Sequence, residues 1–348
     1  MVHGVTSLAT MQVASAGPAI IPERSATSRL WLVSPGFDLL IYSGIVFYSA
    51  VLVLALGRVF EPSKLFVWFN IAFTMAHYFP TWSRAYLDRA MFREYRWQIL
   101  LFPVLFAAMA FGARTHPVAL VFLTYFWDRF HAVMQNYGFL RLYDSRLPVE
   151  AKIPWGLEMG LVFAAAITVM SFNIGLLVPF LGQLYLIGLP LFAQDNVVLG
   201  LRAVCLTVTV VLAIAYGWRL FRHGVTGLPK IVYLVSMVGG HVLMNATTNV
   251  LLLVCHEKVY HSTQYIALTW FYNQRKANKA PPSIEAAKTD KTNEAKPEEL
   301  GRVYRALFQG RGPWRYLAMT ALWAASFYLL TMLVSETAAV YALSGTFT

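Results

Sequence analysis

Four histidines set in apolar runs carry the chemistry this sequence offers: His77, His131, His241 and His261. The most polar of these settings is Tyr125-Phe-Trp-Asp-Arg-Phe-His-Ala-Val-Met-Gln-Asn-Tyr137. At helical spacing Asp128, His131 and Gln135 fall at i, i+3 and i+7, one stripe of one helix. A charged side chain at the centre of a membrane helix costs about 2.5–3.5 kcal/mol on insertion scales. A helix needed only to cross a bilayer would not carry such a stripe. Imidazole is a ligand for iron, copper and zinc, and bundles build metal sites from side chains on facing helices. The other chemistry open to the same residues is proton relay through Asp128, His131 and His241.

Each histidine has polar company on its own helix face. His77, Thr81, Arg84 and Asp88 step by four, three and four, with Pro80 inside the run. His241, Asn245, Thr248 and Asn249 share a face. In Cys255-His-Glu-Lys-Val-Tyr-His-Ser-Thr-Gln-Tyr265, Glu257 precedes His261 by four residues and Gln264 follows it by three. Carboxylate and amide neighbours fix the tautomer and orientation of a ligating imidazole. The expectation is therefore a metal on His77, His131, His241 and His261. Asp128, Gln135, Asn245 and Gln264 are the expected catalytic or water-holding partners, and Arg84 and Arg141 stand ready for a substrate headgroup. The competing reading of each histidine is hydrogen-bonded packing between helices.

The elements that must position these residues are membrane helices. The chain has 348 residues, 58% hydrophobic and 13% charged, where a soluble domain is about 45–50% apolar and about 25% charged. A net charge of +11 in such a chain reports basic loops and anionic headgroups, not nucleic acid, for which there is no motif. Cys205 and Cys255 form no zinc spacing. A span needs about 20 apolar residues. Residues 37–56, 65–82, 97–113, 118–140, 155–181, 197–218, 231–254 and 316–333 qualify, and 258–272 is a short ninth. The segment 182–192, with Gly188 and Pro190, reads as re-entrant or interfacial.

Basic loops at Arg84–Arg96, Arg141–Lys152, Arg219–Lys230 and Arg275–Arg315 alternate with loops almost free of Lys and Arg. That places the N-terminus in the cytoplasm. The expected architecture is an all-α, polytopic transmembrane bundle of about eight or nine spans, in a bacterial inner membrane. Residues 1–30 form a cytoplasmic tail, 31–273 the main bundle, 274–313 a basic loop and 314–348 a terminal span and tail. Residues 302–315 are expected on the membrane surface. In this topology the four histidines fall in one layer nearer the cytoplasmic face, whereas His256 lies near the outer one.

Several known sites are absent from the sequence. There is no Walker motif, no GxGxxG after a strand, and His256-Glu-Lys-Val-Tyr-His261 is one residue too long for HExxH. The HxxxH and HxxHH boxes of membrane desaturases are missing too. His77-Tyr-Phe followed by Trp82 and Arg84 is similar to the His-Phe-Gly-x-x-Asp segment of the Brp/Blh family of membrane β-carotene cleavage dioxygenases, and Phe130-His131 is similar to that family's later histidine-bearing helix. The family's Pro-His-Gly-x-x-Asp opening has no counterpart, because Pro35-Gly-Phe-Asp38 lacks a histidine; His261 would supply that ligand.

The resemblance implies a polytopic protein holding one non-haem iron, but not carotene as substrate. The functional expectation is an iron oxygenase acting on a lipid or isoprenoid. Its partners would be membrane lipids, an apolar small-molecule substrate and an electron donor, with no nucleic acid. The alternatives are a proton-coupled transporter, a b-type haem protein with His131 and His241 as axial ligands, which is less favoured, and a non-catalytic assembly protein.

Overall fold

The computed structural model describes residues 30–115, 117–186, 188, 195–222, 227–278, 302–310 and 312–344. Among them every regular element is helical. In chain order these are α1 (Pro35–Leu56), α2 (62–87), α3 (Arg89–Glu94), α4 (Arg96–Thr115), α5 (Pro117–Asp144), α6 (Trp155–Phe172), α7 (Ile174–Leu186), α8 (Asp195–Arg222), α9 (Leu228–Leu243), α10 (Val250–Ala277), α11 (Arg302–Phe308) and α12 (Trp314–Ser344). The stretches Pro35–Leu56, Val149–Phe172 and Asn196–Arg222 are long and apolar enough to cross a membrane. Residues 1–29 of the expected tail, 279–301 and 311 of the expected loop, and 345–348 of the terminal tail lie outside the described residues.

Local chemistry sets the helix ends. Ser34 accepts from the Phe37 N–H to open α1, and Asp38 accepts from Leu32 and Val33 N–H at 2.6 and 3.1 Å, folding the preceding turn onto the helix. Pro62 sits in the first turn of α2, where its missing N–H costs nothing. Pro80 does not break the α2 stripe. The helix continues through it, with π-type turns at Asn70–Met75 and Ser83–Leu87 on either side. Asp88 ends the helix and caps α3 through Ala90 and Met91 N–H.

Two expected spans divide differently. The run 155–181 is two helices, because Asn173 is extended and separates α6 from α7. The run 231–254 stops at Leu243; after a turn at Met244–Ala246, α10 starts at Val250 under an Asn249 cap. The expected short span 258–272 is thus the middle of a 28-residue helix. One side chain stitches both breaks. Asn173 Nδ2 donates to Met244 O (3.3 Å), Thr247 O (3.1 Å) and Asn245 Oδ1 (3.0 Å). Asn173→Ala strands these acceptors at about 1–3 kcal/mol. Thermal unfolding in detergent should register a lowered midpoint, whereas an unchanged midpoint would mean that the turn holds itself.

Helix α10 is the axis of the fold. Along it Asp128, His131 and Gln135 of α5 meet Lys258, His261 and Gln264 in order, and His77 and Thr81 of α2, followed by Asp88 just past its end, meet His261, Tyr265 and Lys276 in order. Helices α2, α5 and α10 therefore run in the same direction. Helix α1 runs against α10, with Tyr42 O accepting from Gln264 and Ser49 bonded to His256. At Gly240 of α9 an added Cβ would lie 2.7 Å from Val46 O, so that close approach of α9 to α1 needs glycine.

Away from this axis, α6 and α8 pair through Thr168 and Thr209 hydroxyls 2.8 Å apart. In α11 and at the start of α12, Tyr304, Phe308 and Tyr316 are buried against Phe79 and Trp270, and the Tyr304 hydroxyl donates to Asn273 Oδ1 at 2.9 Å, while Val303 and Trp314 are exposed. Of the expected re-entrant piece, 182–186 is the ordinary end of α7, and 187 and 189–194 lie outside the described residues.

Candidate metal centre

Three helices running the same direction in register bring His77 (α2), His131 (α5) and His261 (α10) to one depth and one place. A ligand nitrogen from each lies within 4.8 Å of the others. Ring centroids are 4.9 Å apart for His77 and His261, 5.0 Å for His131 and His261, and 6.2 Å for His77 and His131. His261 is buried, His77 partly buried and His131 the most exposed. Nδ1 of His77 and Nδ1 of His261 are buried with no hydrogen-bond partner. The Tyr265 ring lies against His77 at 4.4 Å, and its hydroxyl is 3.1 Å from Thr81 Oγ1.

His241 is placed elsewhere. Its Nδ1 is 2.7 Å from Met237 O and its Nε2 is 3.2 Å from the Tyr260 hydroxyl. It packs beside His256, whose ring centroid is 5.4 Å away and whose Nδ1 is 2.9 Å from Ser49 Oγ. Because α10 starts at Val250, His256 is a buried residue of the second turn and not an outer-surface one. The carbonyl of Met237 can only accept, so Nδ1 of His241 is its protonated nitrogen.

The expected partner residues divide in the same way. Asp128 does not bond to His131; it pairs with Arg129 at 2.7 Å and Lys258 at 3.0 Å. Arg129 also pairs with Glu257. Two acids and two bases thus close a compensated cluster directly beside His131 and His261. Gln135 Nε2 donates to His261 O at 2.9 Å and to Gln264 Oε1 at 3.1 Å, and Gln264 Nε2 donates to Tyr42 O at 2.6 Å. This amide chain clamps α10 between α5 and α1 at the level of the triad. Asn245 lies in the turn after α9, bonded to Asn173, away from the three histidines.

The two arginines expected at a headgroup have internal partners. The Arg84 guanidinium lies 4.6 Å over the Tyr272 ring. Arg141 donates to Ile153 O at 2.9 Å and pairs with Asp144 at 2.8 Å and Glu158 at 3.3 Å. These two carboxylates also hold Lys230, each at 2.6 Å, with all three of their side chains at 1% exposure or less. Sequence reasoning missed this cluster. Its signal was Glu158, a lone acid in the run 155–181, because an acid in an apolar helix needs a partner.

No protein-family model matches the chain, and no curated protein or solved structure matches it. The residues themselves must carry the functional argument.

Proposed function

We propose that this chain is a multi-pass integral-membrane metalloenzyme: a non-haem iron oxygenase in which His77, His131 and His261 hold the metal and the substrate is a lipid or isoprenoid. The carrying observation is the convergence of three imidazoles from three helices within 4.8 Å. The fit to a metal rests on the two buried, unpartnered Nδ1 atoms. A buried polar atom without a partner is costly, and a cation beside it would remove that cost. Three neutral nitrogen ligands suit iron, zinc or copper and leave coordination positions open. When bound, iron would supply one-electron and O2 chemistry to a substrate held in the bundle.

What the chain does around that centre follows from its own groups. Gln135 and Gln264 fix the depth of the His261 backbone. The Asp128–Arg129–Glu257–Lys258 cluster keeps the adjoining charges compensated. Tyr265 packs on His77 and limits its ring rotation. His131, the most exposed ligand, marks the side from which a substrate or electron donor would approach.

The multi-pass reading is supported by large apolar side chains that water would penalise. Leu100, Phe102 and Phe111 on α4, and Leu199, Val204 and Ile214 on α8, are exposed, as expected where lipid tails cover a surface. A cytoplasmic N-terminus in an inner membrane is part of the same proposal. The geometry supports a metal centre over a proton relay, because Asp128 is committed to Arg129 and Lys258 and does not reach an imidazole.

Elemental analysis and an absorption spectrum of the detergent-purified protein test this. About one iron per chain without a Soret band is the expected result. Stoichiometric zinc would keep the site but overturn the oxygenase, a Soret band would replace it with haem, and metal-free protein after iron loading would overturn both.

A further inference from the structure

A cavity of about 450 Å³ lies between α5, α6, α7, α9 and α10, within the size range of small-molecule sites. None of the three clustered histidines lines it. Most of its wall is apolar, including Val133, Phe163, Ala166, Met170 and Phe180. Its polar groups are few: Arg129, Glu257, His241, Tyr260 and Asn136 at one end, and Ser171, whose hydroxyl donates to Thr168 O.

The chemistry of these groups selects the ligand. Arg129 is neutralised by Glu257 and Asp128, and Lys258 completes a cluster of two acids and two bases. A charged head would enter without a counter-ion, and an isolated charge in such surroundings is costly. His241 donates through Nδ1 to Met237 O, so its Nε2 accepts from the Tyr260 hydroxyl. What faces the cavity at this end is of both kinds: the Tyr260 oxygen and the Glu257 carboxylate accept, and the Asn136 amide, whose Oδ1 is taken by the Tyr233 hydroxyl, donates. The complementary head is an uncharged group that both donates and accepts a hydrogen bond, as a hydroxyl does.

We propose that this cavity binds a single-chain amphiphile with a hydroxyl head, a long-chain or isoprenoid alcohol, with the chain along the α6 and α7 wall and the hydroxyl at Tyr260 and Glu257. The inference stands apart from the metal reading, because it uses no residue of the triad.

Equilibrium binding of radiolabelled tetradecanol, myristate and tetradecylamine to the full-length protein in nanodiscs tests it, on both metal-loaded and chelator-treated samples. The alcohol should bind saturably and about tenfold or more tighter than the acid or amine, as befits one retained hydrogen bond and no stranded charge. Tyr260→Phe should shrink that preference. Ala166→Trp should abolish saturable binding by filling the cavity; Met170→Trp on the same wall serves if the first variant does not fold. Equal binding of the three heads, or full alcohol binding in a folded cavity-filling variant, would overturn the proposal. Alcohol binding that persists in protein unable to hold metal would leave this site standing and the metal reading fallen.

Discussion

Alanine at His77, His131 or His261 should each lower metal occupancy from about one ion per chain to near zero under dialysis. Losing a residue that merely orients a ligand costs roughly 10–100-fold in affinity, and removing one of three ligands costs more. His241→Ala is the informative control. Its imidazole is held by Met237 O and Tyr260 outside the triad, so that variant should keep its ion. Metal analysis after gel filtration reads both. The proposed centre fails if any of the three triad variants retains full occupancy, or if the His241 variant loses metal as completely as they do. Because His131 is the most exposed of the three, His131→Ala is the variant expected to disturb folding least.

The largest effect on stability is expected at Lys230→Met. The lysine lies between Asp144 and Glu158, each 2.6 Å away and out of solvent. Removing it leaves two buried carboxylates with one cation, Arg141, between them, beside neutral donors from Ile153 N–H and the Tyr216 hydroxyl. Breaking a buried pair from one side costs about 3–5 kcal/mol, whereas replacing the whole group by apolar side chains is often neutral. Lys230→Met should therefore unfold at markedly lower denaturant in mixed micelles, and adding Glu158→Leu should recover much of the loss. A single variant within about 1 kcal/mol of the parent would show that the cluster is not ionised in the folded protein.

Depth along a helix was readable from the sequence, and facing was not. His77, His131 and His261 could be assigned to one layer by counting residues from the span ends, and Asp128–His131–Gln135 was visible as a stripe. The same count puts His241 in that layer. Which way a helix turns its face depends on packing, and Gly240 against Val46 sets α9 so that His241 meets Tyr260 and His256 instead. The helix boundary before α10 was hidden for a related reason. Apolar residues continue on both sides of the break, and the groups that make it, Asn173 and Asn249, act through hydrogen bonds to distant or local backbone. In the sequence Lys230 closes a basic loop, yet in the fold it is the first-turn residue of α9 that reaches inward.

The order in which the chain emerges gives α10 a last consequence. His77 and His131 are synthesised long before His261, which is the third imidazole beside them among the described residues. A nascent chain ending before Val250 would hold two ligands and neither the Gln135–Gln264 clamp nor the Glu257 and Lys258 charges that compensate Arg129 and Asp128. On the proposed metal reading, tight capture of an ion would wait for the docking of α10, so that occupancy would mark a chain whose last ligand is in place.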